Sequence, residues 1–191
     1  MTDEVLNAAR AGDLETLRNL LKGGADIDAR DDLGWSALMW ASALGHEHVV
    51  RALLEFGADT EACDSYGATS LMKACRQGHV KVVNLLLHYG ASPDNADGLG
   101  WTALMRAAYR GHEAMVKLLI DQNADTEVAD HNGTTALMLA ASEGHLEVVK
   151  RLLDWGAEAG AKDRKGKTAR VRAAEAGRRQ IADVLSLAED V

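Results

Sequence analysis

Hydrophobic positions along this chain fall into short helical stripes. Val116, Leu119 and Ile120 recur at three- and four-residue steps, while Glu113, Lys117 and Asp121 stand four apart on the other side. The segment Glu113 to Asp121 is therefore predicted to be a helix with one apolar and one wet face. Ahead of it, Thr102 precedes the alanine-rich segment Ala103 to Arg110, which fits a hydroxyl capping a helix start, and Gly111 breaks that helix. The same helix pair recurs along the chain. Gly12, Gly45, Gly78, Gly111, Gly144 and Gly177 stand 33 positions apart, and Gly34, Gly67, Gly100, Gly133 and Gly166 keep that interval. So do Leu53-Leu54, Leu86-Leu87, Leu119-Ile120 and Leu152-Leu153. Each second helix is predicted to end at Gly24, Gly57, Gly90, Asn123 or Gly156, and asparagine is the residue that best tolerates a left-handed C-cap after glycine. Runs such as GADTEACDSYG carry Gly and Asp without helical periodicity and predict extended hairpin loops.

No helix pair of this size buries its apolar stripe alone, so the copies are expected to stack around a shared core as an elongated solenoid. Composition agrees: 47% of the 191 residues are hydrophobic but only 4% aromatic, which suits small layers of Leu, Val and Ala. The stretch GWTALMRAAYRGHEAMVKLLIDQNADTEVAD resembles an ankyrin repeat, with its G-x-T-x-L start, A-A-x-x-G-H turn and closing N-A-D in place of G-A-D. The resemblance implies an all-α repeat solenoid of helix-turn-helix units with connecting β-hairpin loops. It also implies a single domain over 1–191: an N-terminal capping unit at 1–32, full repeats at 33–65, 66–98, 99–131 and 132–164, and a C-terminal capping unit at 165–191. Two departures stand out. Met39, Met72, Met105 and Met138 replace the family's histidine, which exchanges a hydrogen-bonding side chain for an adaptable apolar one. Arg170 takes a leucine position, where its stem is expected to pack while the guanidinium reaches water.

A formal charge of -8 disfavours a general polyanion binder, and with it nucleic acid. The basic run Lys165, Lys167, Arg170, Arg172, Arg178 and Arg179 reads as a solvated end face. Cys63 and Cys75 form neither a ligand spacing nor a disulfide framework, so a reducing compartment is expected, with Cys75 a small buried hydrophobe and Cys63 in a loop. The opening MTDEVLNAAR is not a secretory signal, and no apolar run would cross a bilayer, so the expected location is cytoplasmic or otherwise intracellular, with no membrane partner. His46, His79, His112 and His145 occur once per repeat, too far apart to share an ion, and are expected to make local turn and capping bonds. In the GKT at Gly166 to Thr168, the preceding Gly160 lies one position too far for a phosphate loop. The acids Asp26, Asp28, Asp59, Glu61, Asp125 and Glu127 read as solubilising hairpin residues. No catalytic set, metal site or cofactor is expected.

A repeat array carries its own control: positions alike in every copy build the scaffold, and positions that differ are free for other use. After the second glycine stand Trp35, Ala68, Trp101, Thr134 and Lys167; at the outward position of the first helix, Trp40, Lys73, Arg106, Leu139 and Arg172; one turn later, Leu44, Gln77, Arg110 and Glu143. In the family it resembles, hairpin tips and first helices line the concave side that partners occupy. Trp, Tyr and Arg dominate binding hot spots, so the candidate partner-binding set is Trp35, Trp40, Tyr66, Lys73, Arg76, Leu99, Trp101, Arg106, Tyr109 and Arg110. Trp155, ending a second helix, is expected to pack. The reading is a monomeric, non-catalytic module for a protein or extended peptide with an acidic segment. The rival is an engineered, reconstructed or purely structural scaffold with no natural partner. Unlike copies such as WASALGHEHVVRALLEF and RAAYRGHEAMVKLLIDQ speak against a simple consensus design.

Overall fold

Caps and glycines cut the chain into short helices. The computed structural model describes residues 2–189 and shows twelve helices among them. In chain order these are α1 (Thr2–Ala11), α2 (Leu14–Lys22), α3 (Ala37–Leu44), α4 (Glu47–Glu55), α5 (Ser70–Gln77), α6 (Val80–His88), α7 (Ala103–Arg110), α8 (Glu113–Asp121), α9 (Ala136–Glu143), α10 (Leu146–Asp154), α11 (Ala169–Glu175) and α12 (Arg179–Glu189). The hydroxyls of Ser36, Thr69, Thr102, Thr135 and Thr168 accept the amide N–H three residues on, which starts α3, α5, α7, α9 and α11. Asn123, in the glycine position after α8, adopts φ 61°, the left-handed turn expected of it.

The chain divides into two compact units, Met1–Gly98 and Leu99–Val191. In the first, α1, α3 and α5 pack in one row and α2, α4 and α6 in a second. Leu17, Leu38, Met39, Leu53, Leu71, Met72 and Leu86 are fully buried there. The second unit repeats the scheme with α7, α9 and α11 in one row and α8, α10 and α12 in the other, around Leu104, Met105, Met115, Leu119 and Leu137. The methionines that replace the family's histidine are thus core residues. Cys75 is buried and its thiol is pushed up by desolvation, while Cys63 is exposed.

Three of the loops between helix pairs fold back through a single antiparallel bridge, at Arg30–Ser36, Cys63–Thr69 and Ala129–Thr135. At the loop tips the backbone ties one loop to the next: Ser65 N–H donates to Leu33 O, and Gly98 N–H to Tyr66 O. In the second unit, His131 N–H donates to Leu99 O and Arg164 N–H to Asn132 O. The loop acids do more than solubilise. Asp26, Asp59 and Asp125 each accept the N–H two residues on, and Glu61 bonds the Ser92 N–H at 3.1 Å and the Asn95 amide in the next loop.

The histidines also depart from expectation. None of the four caps its own helix with its side chain. Instead Nε2–H of His46, His79 and His145 donates to a carbonyl at the end of the first helix of the preceding helix pair: Arg10 at 3.0 Å, Ala43 at 3.1 Å and Tyr109 at 3.0 Å. A ring can reach that far because the residue beneath it is a glycine with no Cβ. Gly45, at φ 76°, would place a Cβ 2.7 Å from the His79 ring. Trp155 also differs from the reading as a packing residue. It follows the last turn of α10, off the apolar stripe, and is 48% exposed. Arg170 is exposed and pairs with Glu189 at 2.6 Å.

Candidate functional site

One aspartate per repeat organises the surface that carries the candidate residues. Asp64 follows the bridge residue Cys63, and its Oδ1 accepts the amides of Tyr66 and Ala68 at 2.8 and 2.9 Å, which shapes the tip. Its Oδ2 accepts a 2.6 Å bond from the Lys73 ammonium on the following first helix. Asp31 and Asp163 repeat the plan. Asp31 Oδ2 takes the Trp40 indole N–H at 2.8 Å and Arg10 Nη2 at 2.7 Å, and Asp163 Oδ2 takes Arg172 Nη2 at 2.6 Å. Burial pushes the carboxyls of Asp31, Asp64, Asp130 and Asp163 up, but the donors around each outweigh it, so all four lie below the ordinary carboxylate value. These aspartates are absent from the candidate set, yet their 33-residue spacing through 31, 64, 97, 130 and 163 was visible in the sequence.

The donors explain a correction. Lys73, read as an outward residue, is only 6% exposed, because a carboxylate waits for its ammonium inside the loop. Leu139, in the same register, is buried as well. In the first unit the structure joins three candidates. The rings of Trp35 and Trp40 lie 4.4 Å apart, with the Lys73 ammonium 3.6 Å from the Trp35 ring centre and the Arg10 guanidinium 4.1 Å from that of Trp40. Both indoles are half-buried in this stack. Tyr66 stands at the loop tip, 73% exposed, its carbonyl turned inward to Gly98. Leu33 holds the same position one repeat earlier and is 51% exposed; it was missed although it stands 33 residues before Tyr66. Arg76 is exposed in the last turn of α5.

In the second unit Trp101, Arg106, Tyr109 and Arg110 lie together. The Trp101 and Tyr109 rings meet edge-on at 5.5 Å, the Arg106 guanidinium is 4.9 Å from the Trp101 ring centre, and that of Arg110 is 5.9 Å from Tyr109. Trp101 Nε1–H donates to Asp130 Oδ2 at 3.2 Å, which fixes the indole across the loop. Leu99 is 64% exposed at the tip. Among the described residues, no group of three or more His, Cys, Asp or Glu could hold a metal ion, and no helix is long and apolar enough to cross a membrane.

No curated protein matches the chain. The family model described as ankyrin repeats (3 copies) matches residues 5–97, 91–163 and 127–191. Ankyrin repeats are generally protein–protein interaction modules without enzymatic activity. Capped helix pairs stacked in two rows, bridged loops between them and a family match running almost the whole length agree: this chain belongs to the ankyrin repeat family.

Proposed function

We propose that the protein is a non-catalytic binding module that holds a protein or an extended peptide on the hairpin tips and first helices of its units. One observation carries this reading: apolar tip side chains stand in water beside indole–cation clusters. Leu33 and Tyr66 in the first unit and Leu99 in the second have carbonyls bonded to the neighbouring loop, so their exposed side chains stand on a backbone that is already ordered. Trp35, Trp40 and Lys73 form the first cluster, and Trp101, Arg106, Tyr109 and Arg110 form the second. Exposed Arg76 and Arg110 favour a partner segment bearing carboxylates.

The test is affinity capture on the immobilised protein, identification of the stoichiometric partner by mass spectrometry, and calorimetry with that partner. Tyr66→Ala and Tyr109→Ala should each weaken binding by roughly tenfold or more, the range of an interface hot spot, with helix content and melting unchanged. Affinity equal to that of the unaltered protein would remove the assigned surface.

A further inference from the structure

Resting on the binding function proposed above, we infer that the second unit carries an anchor subsite for a Leu-sized apolar side chain flanked by carboxylates. The subsite follows from one irregular repeat. Nine residues after the loop aspartate, three loops supply a donor to it: Trp40 to Asp31, Lys73 to Asp64 and Arg172 to Asp163. After Asp130 that position is Leu139, which can donate nothing. Asp130 turns instead to the Trp101 indole from the loop before. The space a long polar side chain would fill stays open as a pocket of about 350 Å³, with the Trp101 ring as a wall and Leu139 among its lining residues.

Charge decides what enters. Asp130 is buried and saturated by the amides of Asn132 and Thr134, both at 2.8 Å, and by the indole. Asp163 is neutralised by Arg172. Arg164 and Lys165, which also line the pocket, are exposed, and among the described residues neither head group has an acidic partner. An apolar side chain therefore meets an indole and a leucine, while carboxylates on either side of it meet two cations. A cationic segment would meet the same two cations with nothing left unsatisfied in the pocket to receive it.

Three N-acetylated, C-amidated pentapeptides test this: Gly-Glu-Leu-Glu-Gly, Gly-Lys-Leu-Lys-Gly and Gly-Glu-Ala-Glu-Gly. Each is titrated into the full chain while the Trp101 indole N–H is followed in proton–nitrogen correlation spectra, its resonance assigned with Trp101→Phe. The Glu-Leu-Glu peptide should shift that resonance saturably and bind at least about fivefold more tightly than either other peptide. Arg164→Ala with Lys165→Ala should erase the preference over Lys-Leu-Lys and keep the preference over Glu-Ala-Glu. Leu139→Arg should abolish the shift by filling the pocket, and it should fold, since arginine already stands in this register at Arg106 and Arg172. No saturable shift, equal or tighter binding of Lys-Leu-Lys, or binding that survives Leu139→Arg would each overturn the subsite. The broader function is read separately with the captured partner. If Tyr66→Ala and Leu99→Ala weaken it and Leu139→Arg does not, only the subsite falls; if they leave it unchanged, the broader reading falls even where the pentapeptide binds.

Discussion

At the scale of single residues, the decisive unit is a carboxylate with its donor. Lys73 and Asp64 form a bond of 2.6 Å with side chains only 7% and 3% exposed. Removing one member of such a pair strands the other without water. Lys73→Met keeps most of the stem against Trp35 yet should cost about 3–5 kcal/mol in urea unfolding, far above the cost of a surface cation. The same pair governs acid behaviour. The folded carboxyls of Asp31, Asp64, Asp130 and Asp163 lie below the unfolded value of about 3.9, so the unfolded chain takes up protons first. Their contribution is complete above that value and is lost as pH falls through the lower folded ones. Acid unfolding followed by ellipticity should therefore begin only below the ordinary carboxylate range, and Lys73→Met should move its midpoint upward. An unchanged midpoint would separate the pair from acid stability. The sequence placed Lys73 correctly on its helix and in the wrong environment. Position within a repeat tells which way a helix face looks, but not that a loop nine residues earlier has folded a carboxylate over it. Trp40 was legible as an aromatic outlier for the same reason that its bond to Asp31 was not.

At the scale of elements, the helices were legible because their ends are chemical. A hydroxyl starts α3, α5, α7, α9 and α11, glycine or asparagine closes the turns, and the observed bounds Ala103–Arg110 and Glu113–Asp121 match the stripe that predicts them. The role of the histidines was not legible, because a ring at a helix start looks like a local cap until the neighbouring helix pair is stacked beside it. His79 joins two such pairs, with its Nε2–H on Ala43 O and its ring over Gly45. His79→Ala should cost about 1 kcal/mol, the net worth of one hydrogen bond. Gly45→Ala should cost more, since it combines the left-handed backbone, about 1–2 kcal/mol for a residue with a Cβ, with a clash against the ring. In the double variant the clash has no partner, so the two costs should fall short of adding by about 0.5 kcal/mol or more. Strict additivity in a double-mutant cycle would show that ring and glycine do not meet in solution.

At the scale of the whole chain, stability should be as uneven as the burial. In the Leu99–Val191 unit, α9 and α10 bury Leu137, Met138, Leu139, Val148, Val149 and Leu152 besides their alanines, whereas α11 and α12 bury Ala169, Ala173, Ile181 and Leu185. Each large side chain taken out of water contributes about 1.5–3 kcal/mol before ordering costs, so the last helix pair has the weaker hold. Hydrogen exchange at low urea should show the amides of Ile181 to Leu185 opening at lower free energy than those of Val148 to Leu152, and equal protection would mean that the two pairs unfold as one. The order matters for binding, because Arg164, Lys165 and Arg172 lie in the loop and helix that the last pair holds in place. The Glu-Leu-Glu peptide should then lose affinity at urea concentrations where most of the ellipticity persists. A repeat array is stabilised by neighbours, so a ligand that bridges Trp101, Leu139 and the Arg164–Lys165 edge should in turn raise the protection of α11 and α12 by the amount that its own binding supplies.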